Sequence, residues 1–373
     1  MRSIAITGTG LFTPPQVISN DELVDAFNAY VDAENQRNAE PIARGEATAL
    51  ARSSVAFIVN ASGIHRRHVM DRAGILDPAV MAPRIRERAN TEPSVQCEMA
   101  VTAAQDALAQ AGVAAESVDA VLVACSNLQR PYPAIAVEVQ NALGAGGFAF
   151  DLNVACASAT FGIHVARDMV AQGSVKRALV VSPEICSAHL NFRDRESHFI
   201  FGDACTAVVI EPLETSKSSD AYEILGTRLT TRYSDAIRNN FGFLNRAAPE
   251  HRDAPDKLFV QRGRRVFKEV LPMVAELLSA HLDELGIAPS GLRRLWLHQA
   301  NLTMNQWIAR KVLGRDATLE EAPSVLEDYA NTSSCGSLIT FHKHREGLVA
   351  GDVGLLCSFG AGYSAGSVVV RRV

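Results

Sequence analysis

Cys156 stands where a thiol can attack: the run AFDLNVA leads into it and the small residues Ala157, Ser158, Ala159 and Thr160 follow it. That pattern is a strand turning into a helix. The positive end of the helix dipole favours a thiolate there, and the thiolate is the attacking form. A nucleophilic thiol needs a partner that handles protons or polarises a carbonyl, and His298 closes the apolar strand positions 295–297. Asn331 opens a second small-residue helix in NTSSCGS. Near the C-terminus Phe359, Gly360, Ala361 and Gly362 bend the chain after a strand over 353–358. A bend of this kind lets main chain approach closely and present a backbone N–H to a developing oxyanion.

Other motifs carry less. Gly8, Thr9 and Gly10 follow a strand, but Thr13 stands where a dinucleotide fingerprint needs its third glycine, so a tight strand-to-loop turn is expected. His342 and His344 are two apart with no carboxylate spaced to complete a metal site; they read as surface histidines, and no metal is expected. The seven cysteines, Cys97, Cys125, Cys156, Cys186, Cys205, Cys335 and Cys357, are odd in number and contain no CxxC pair. That excludes a disulfide framework and leaves all but one as small buried hydrophobes.

The chain has 373 residues, 47% of them hydrophobic and 21% charged, the composition of a folded globular protein. Its net charge of −5 supplies no global attraction for nucleic acid. Apolar runs such as 118–125 and 178–181 are far shorter than the ~20 residues that span a bilayer. The N-terminal run reads as a first strand of a cytoplasmic protein rather than a signal segment.

These side chains must be held by alternating elements. Helices are expected over 98–111, 135–143 and 158–172, and strands over 118–124, 148–153 and 177–181, the rhythm of a sheet covered by helices. The chain also repeats itself. Residues 107–127 align without gaps on 281–301, an offset of 174: Leu108/Leu282, Gly112/Gly286, Ala114/Ala288 and Asn127/Asn301 coincide, and Gly162 falls on Gly336. The same offset carries Cys156 to Ala330, next to Asn331, so the two would begin equivalent helices with His298 between them. The halves divide at about 1–213 and 214–373 and face each other across a pseudo-twofold axis. Residues 30–54 interrupt the rhythm as a helical insertion or lid.

Taken in order, DLNVACAS around Cys156, FIFGDA at 199–204, LHQAN at 297–301, NTSS at 331–334 and FGAGYSAGS at 359–367 resemble the β-ketoacyl-ACP synthase III family of the thiolase superfamily over nearly the whole chain. The resemblance implies an α/β, thiolase-like fold, two duplicated halves layered αβαβα, and a Cys156–His298–Asn331 triad. It implies a cofactor-free, ping-pong reaction in which Cys156 takes an acyl group from an acyl-CoA and a malonyl thioester on acyl carrier protein then loses carbon dioxide. His298 and Asn331 would hold the enolate oxygen, and the backbone N–H groups of Cys156 and Ala361 the tetrahedral oxyanion, each such donor worth ~3 kcal/mol. No catalytic carboxylate is required.

By the same resemblance Phe57, Arg195, Asn301, Gly360 and Gly362 would contact substrate. Tyr132 would close the acyl pocket of a neighbouring subunit in a homodimer. The family's adenine-sandwiching arginine is Ala61 here, and a basic carrier-docking position is Thr303. Docking would therefore lean on Lys268, Arg264, Arg265, Arg310 or Lys311. The insertion resembles that of a subgroup accepting medium-chain primers. The alternatives are a thioester hydrolase and a head-to-head acyl condenser with the same cysteine, or a non-catalytic module, against which the intact triad argues.

Overall fold

The computed structural model describes residues 2–373. Nine strands run across one sheet in the order Leu292–Leu297, Val353–Gly360, Gly362–Arg372, Tyr222–Ser234, Ile4–Phe12, Ala204–Pro212, Ala178–Glu184, Ala120–Ala124 and Phe148–Leu152. The last five come from before residue 213 and the first four from after it. The two groups join only where Ala5 pairs with Glu223 and Ile6 with Tyr222.

Strand alternation builds the layers. Ala120, Leu122 and Ala124 face inward, together with Trp296, Leu356 and Val368 of the other group, onto the helices Ser158–Ala171 and Cys335–Lys343. Val121 and Val123 face outward onto the helices Val95–Ala111 and Ile135–Leu143. Leu295, Leu297 and Leu355 face the helices Gly263–Leu285 and Leu302–Leu313. A side-chain period of two along each strand therefore feeds two cores at once and gives the αβαβα stack.

The gap-free repeat falls on one run of elements in each group. Gly112 and Gly286 both end a helix in the left-handed conformation, at φ 67° and 65°. A single 3₁₀ turn follows each, Ala115–Ser117 and Pro289–Gly291, and then a strand with a parallel neighbour.

Two expectations fail here. Gly8 and Gly10 do not form a turn; both lie inside the strand Ile4–Phe12, where a Cβ would stand 2.0 Å from the Ala107 carbonyl oxygen and 1.9 Å from that of Ala103. They are glycine because the helix Val95–Ala111 crosses directly on the strand. His342 is not a surface histidine: its Nδ1 lies 2.8 Å from the Thr9 hydroxyl, beside Arg345, and burial pushes its pKa down to about 4. The stretch 30–54 is less a separate lid than the end of one helix. Asn20–Arg37, started by a Ser19–Glu22 capping box, runs into it; Ala39–Ala43 follows, and an extended return is stitched back by Asn35 to Leu50 and Asn28 to Ser53.

Candidate active site

Two left-handed turns present the chemistry. Before the helix Ser158–Ala171, Ala155 takes φ 47°; the Asn153 side chain accepts from its N–H, and the Ser158 hydroxyl both accepts from Val154 N–H and donates to the Ala155 carbonyl. The turn lifts Cys156 out of the strand line. In the other group Ala330 and Ser333 take φ 56° and 52° before the helix Cys335–Lys343. Asn331 Oδ1 accepts from Ser333 N–H at 2.9 Å, which commits that oxygen and leaves Nδ2 as the free donor. The Asn331 backbone is fixed as well, bonded to Ile200 and Gly202.

His298 follows directly on Leu297. Its ring meets Phe359 edge-on at 5.0 Å and its Nδ1 is buried without a partner. Cys156, His298 and Asn331 line one cavity of about 380 Å³ with Phe359 and Gly360. Phe199, Phe201, Phe259, Val266, Phe267 and Met304 give it apolar walls, and Gln261, Gly263, Asn301 and Thr303 also line it. A Cβ at Gly360 would lie 2.6 Å from Cys156 Cβ and 3.0 Å from Sγ, so this backbone rests on the cysteine itself.

The electrostatics differ from the dipole-based expectation. Burial pushes the Cys156 thiol up to about 11, and Glu184 adds to the rise; the Ser333 hydroxyl and the backbone N–H groups of Cys156 and Ala361 act on the sulfur in the opposite direction without overcoming it. The helix proper begins only at Ser158, two residues on. Burial likewise pushes His298 down to about 4, with the Ser333 main-chain carbonyl, an acceptor for the ring N–H, opposing. At neutral pH the resting pair is thiol and neutral imidazole.

These motifs and this geometry meet in one group of relatives. A family profile described as 3-oxoacyl-[acyl-carrier-protein (ACP)] synthase III matches residues 150–232, and its C-terminal counterpart matches 282–372. The chain is 57% identical over 349 residues to the β-ketodecanoyl-[acyl-carrier-protein] synthase of Pseudomonas aeruginosa, covering 94% of this chain and 100% of that one. The chain belongs to the β-ketoacyl-ACP synthase III family. It is a condensing acyltransferase of the thiolase superfamily. The β-ketoacyl-[acyl-carrier-protein] synthase III of Caulobacter vibrioides is 29% identical, with 100% of both chains covered. Among solved structures, the 3-oxoacyl-(acyl carrier protein) synthase III of P. aeruginosa superposes with a TM-score of 0.75 at 26% identity, over 99% of this chain and 98% of that one.

Within this synthase fold the other sequence-predicted residues scatter. Asn301 lines the cavity, but as a helix N-cap: Oδ1 accepts from Thr303 and Met304 N–H and Nδ2 donates to the Ala61 carbonyl. Phe57 and Arg195 lie outside the cavity lining and stack on each other, guanidinium carbon 4.0 Å from the ring centre. Arg195 also donates to the Arg52 carbonyl and pairs with Glu196. Gly362 is exposed at φ 131°. Tyr132 is 82% exposed and borders a different depression. Of the basic residues, Arg265 is held by Asp235 and Glu269, Arg310 by Asp316, and Lys311 lies over Trp307. Arg264 and Lys268 are exposed, without an ion pair among the described residues.

Sequence reasoning missed Ser333 and Glu184. The non-glycine left-handed turn at Ser333 has no local signature beyond the polar run NTSS. A glutamate ending the apolar run ALVVSPE was a visible anomaly.

Proposed function

We propose that this synthase condenses an acyl-CoA primer with malonyl-ACP to give a β-ketoacyl-ACP. The Cys156 sulfur attacks the primer's carbonyl carbon, the C–S bond to CoA breaks, and the thiol proton leaves with CoA. The backbone N–H groups of Cys156 and Ala361, which act on the sulfur to lower its pKa, hold the oxyanion. Malonyl-ACP then loses carbon dioxide; the bonding pair becomes an enolate, whose oxygen accepts from the His298 N–H and Asn331 Nδ2. The enolate carbon attacks the acyl-cysteine, the C–S bond breaks, and the departing thiolate takes a proton from solvent to restore the resting thiol. A histidine pushed down to about 4 suits this role, because the neutral imidazole keeps one N–H and can donate it as a hydrogen bond to the enolate oxygen.

The observation that carries the reading is the convergence of Cys156, His298 and Asn331 on one apolar-walled cavity. The 57% identity to a β-ketodecanoyl synthase supports a medium-chain primer, two carbons shorter than the decanoyl product. An exposed edge supports a homodimer: the strand Phe148–Leu152 has one open side, and Phe148, Val137 and Tyr132 are exposed beside it. Arg264 and Lys268, on the helix whose Gly263, Val266 and Phe267 line the cavity, support carrier docking there.

Intact-protein mass after mixing with acyl-CoAs of graded length tests the primer assignment: adducts should peak at medium length, and transfer from acetyl-CoA alone would refute it. Cys156→Ala should form no adduct, whereas His298→Ala and Asn331→Ala should acylate and lose condensation by ~10²-fold or more. A free fatty acid in place of a β-ketoacyl product would overturn the reaction itself.

A further inference from the structure

Glu184 is 1% exposed at the end of the strand Ala178–Glu184, and no cation pairs with it among the described residues. An isolated carboxylate so deeply buried costs several kcal/mol unless it is well bonded, and here four N–H and O–H donors converge on it, with the Cys186 thiol more distant at 3.9 Å. Oε1 accepts from Ser126 N–H at 3.0 Å, Ser334 N–H at 3.2 Å and the Ser334 hydroxyl at 2.5 Å; Oε2 accepts from the Ser126 hydroxyl at 2.5 Å. The two serines belong to different halves. Ser126 lies in the turn after the strand Ala120–Ala124, in the half that carries Cys156. Ser334 ends the loop that carries Asn331 and the left-handed Ser333, and its hydroxyl reaches back to the Ala124 carbonyl at 3.3 Å.

We propose that Glu184 is a positioning residue for the condensation half-reaction, its carboxylate tying the Asn331–Ser334 loop to the nucleophile half and so fixing Asn331 against Cys156. No proton moves through it; it lines no part of the cavity. Losing it frees the loop on one side only, since the turn at Cys156 is held separately by Asn153 and Ser158. Acylation and decarboxylation must therefore separate.

This rests on the function proposed above, so both half-reactions are first measured on the unaltered protein; failure there refutes that function and not the role of Glu184. In Glu184→Ala, acyl-enzyme formation should stay within about threefold, while carbon dioxide release from malonyl-ACP after acylation falls ~10²-fold, as for a misplaced catalytic group. Glu184→Gln should restore most of that loss, because its oxygen still accepts from both N–H groups and the Ser126 hydroxyl can turn to accept from the amide. Equal loss of both steps in Glu184→Ala, no loss of either, or a Gln variant as inactive as the Ala variant would each overturn the proposal. If Glu184→Ala does not fold, Ser334→Ala decides: it should slow carbon dioxide release about tenfold with acylation unchanged, and a uniform effect refutes the role.

Discussion

Cys156 sets two demands against each other. In the proposed reaction the sulfur must be buried to hold an acyl chain away from water, and burial opposes the charged nucleophile. With the thiol pushed up to about 11, an acid raised above its ordinary value, the thiolate fraction grows nearly tenfold per pH unit from neutrality to beyond pH 9. Alkylation of Cys156 by iodoacetamide, followed as loss of acyl transfer, should keep rising over that whole range. A plateau below pH 8 would mean that the N–H groups of Cys156 and Ala361 outweigh desolvation. In the proposed reaction acylation then depends on stabilising the oxyanion more than on a standing thiolate, a role suited to the main chain that Gly360 lets rest on the cysteine.

At the scale of elements, the close crossing of the strand Ile4–Phe12 by the helix Val95–Ala111 is a demanding contact, with no room for a side chain at two positions of the strand. Gly10→Ala would drive a methyl group to 1.9 Å from the Ala103 carbonyl, inside any tolerable contact. Overpacking of this kind costs ~1–3 kcal/mol and more where backbone must shift. The variant should lower the thermal midpoint by several degrees or fail to fold, while Gly263→Ala, whose Cβ meets nothing, should leave it unchanged. The same contrast explains which elements could be read in advance. The helix over 135–143 is legible because its apolar spacing and its closing Gly144 are local, although its first N–H groups are capped from Asp151: the expected bounds coincide with Ile135–Leu143. So is the strand-to-helix turn at Cys156. The two strand glycines were misread because what forbids a side chain there lies ninety residues along the chain. Cys156, His298 and Asn331, which line one cavity, are singled out by motif and repeat, both sequence properties. The Phe57–Arg195 stack, the tether from Arg52, the raised thiol and the four donors on Glu184 all arise from burial and from contacts between halves, to which no short window refers.

Across the whole molecule, burial has collected histidines that the folded state keeps neutral. His189, His198, His281, His298 and His342 are each pushed down to about 4, with desolvation the main cause. The unfolded chain would protonate them near pH ~6.5. Between that value and about 4 the unfolded state binds protons that the folded state refuses, so stability present above pH ~6.5 is lost as pH falls. Asp203, raised by burial to about 6, works the other way, contributing below its unfolded pKa and losing that contribution as pH rises through about 6; Asp151 and Glu184, also raised by burial, act in the same sense, against these five histidines and His68 and His344, which burial lowers too. The urea midpoint should therefore be lower at pH 5 than at pH 7; an equal or higher midpoint contradicts the account. His189 isolates the effect. It packs against Phe201 and Phe259 at ring distances of 5.3 and 6.5 Å, and neither ring nitrogen has a partner. His189→Phe keeps an aromatic ring in that cluster and removes two orphaned polar atoms, each costing ~1–3 kcal/mol when buried unpaired. The variant should unfold at higher urea at both pH values, with the gap between them smaller by one proton's share, ~1.4 kcal/mol per pH unit at most. Because the ring lies behind the wall formed by Phe201 and Phe259 and not in the cavity, acylation should stay at its original rate.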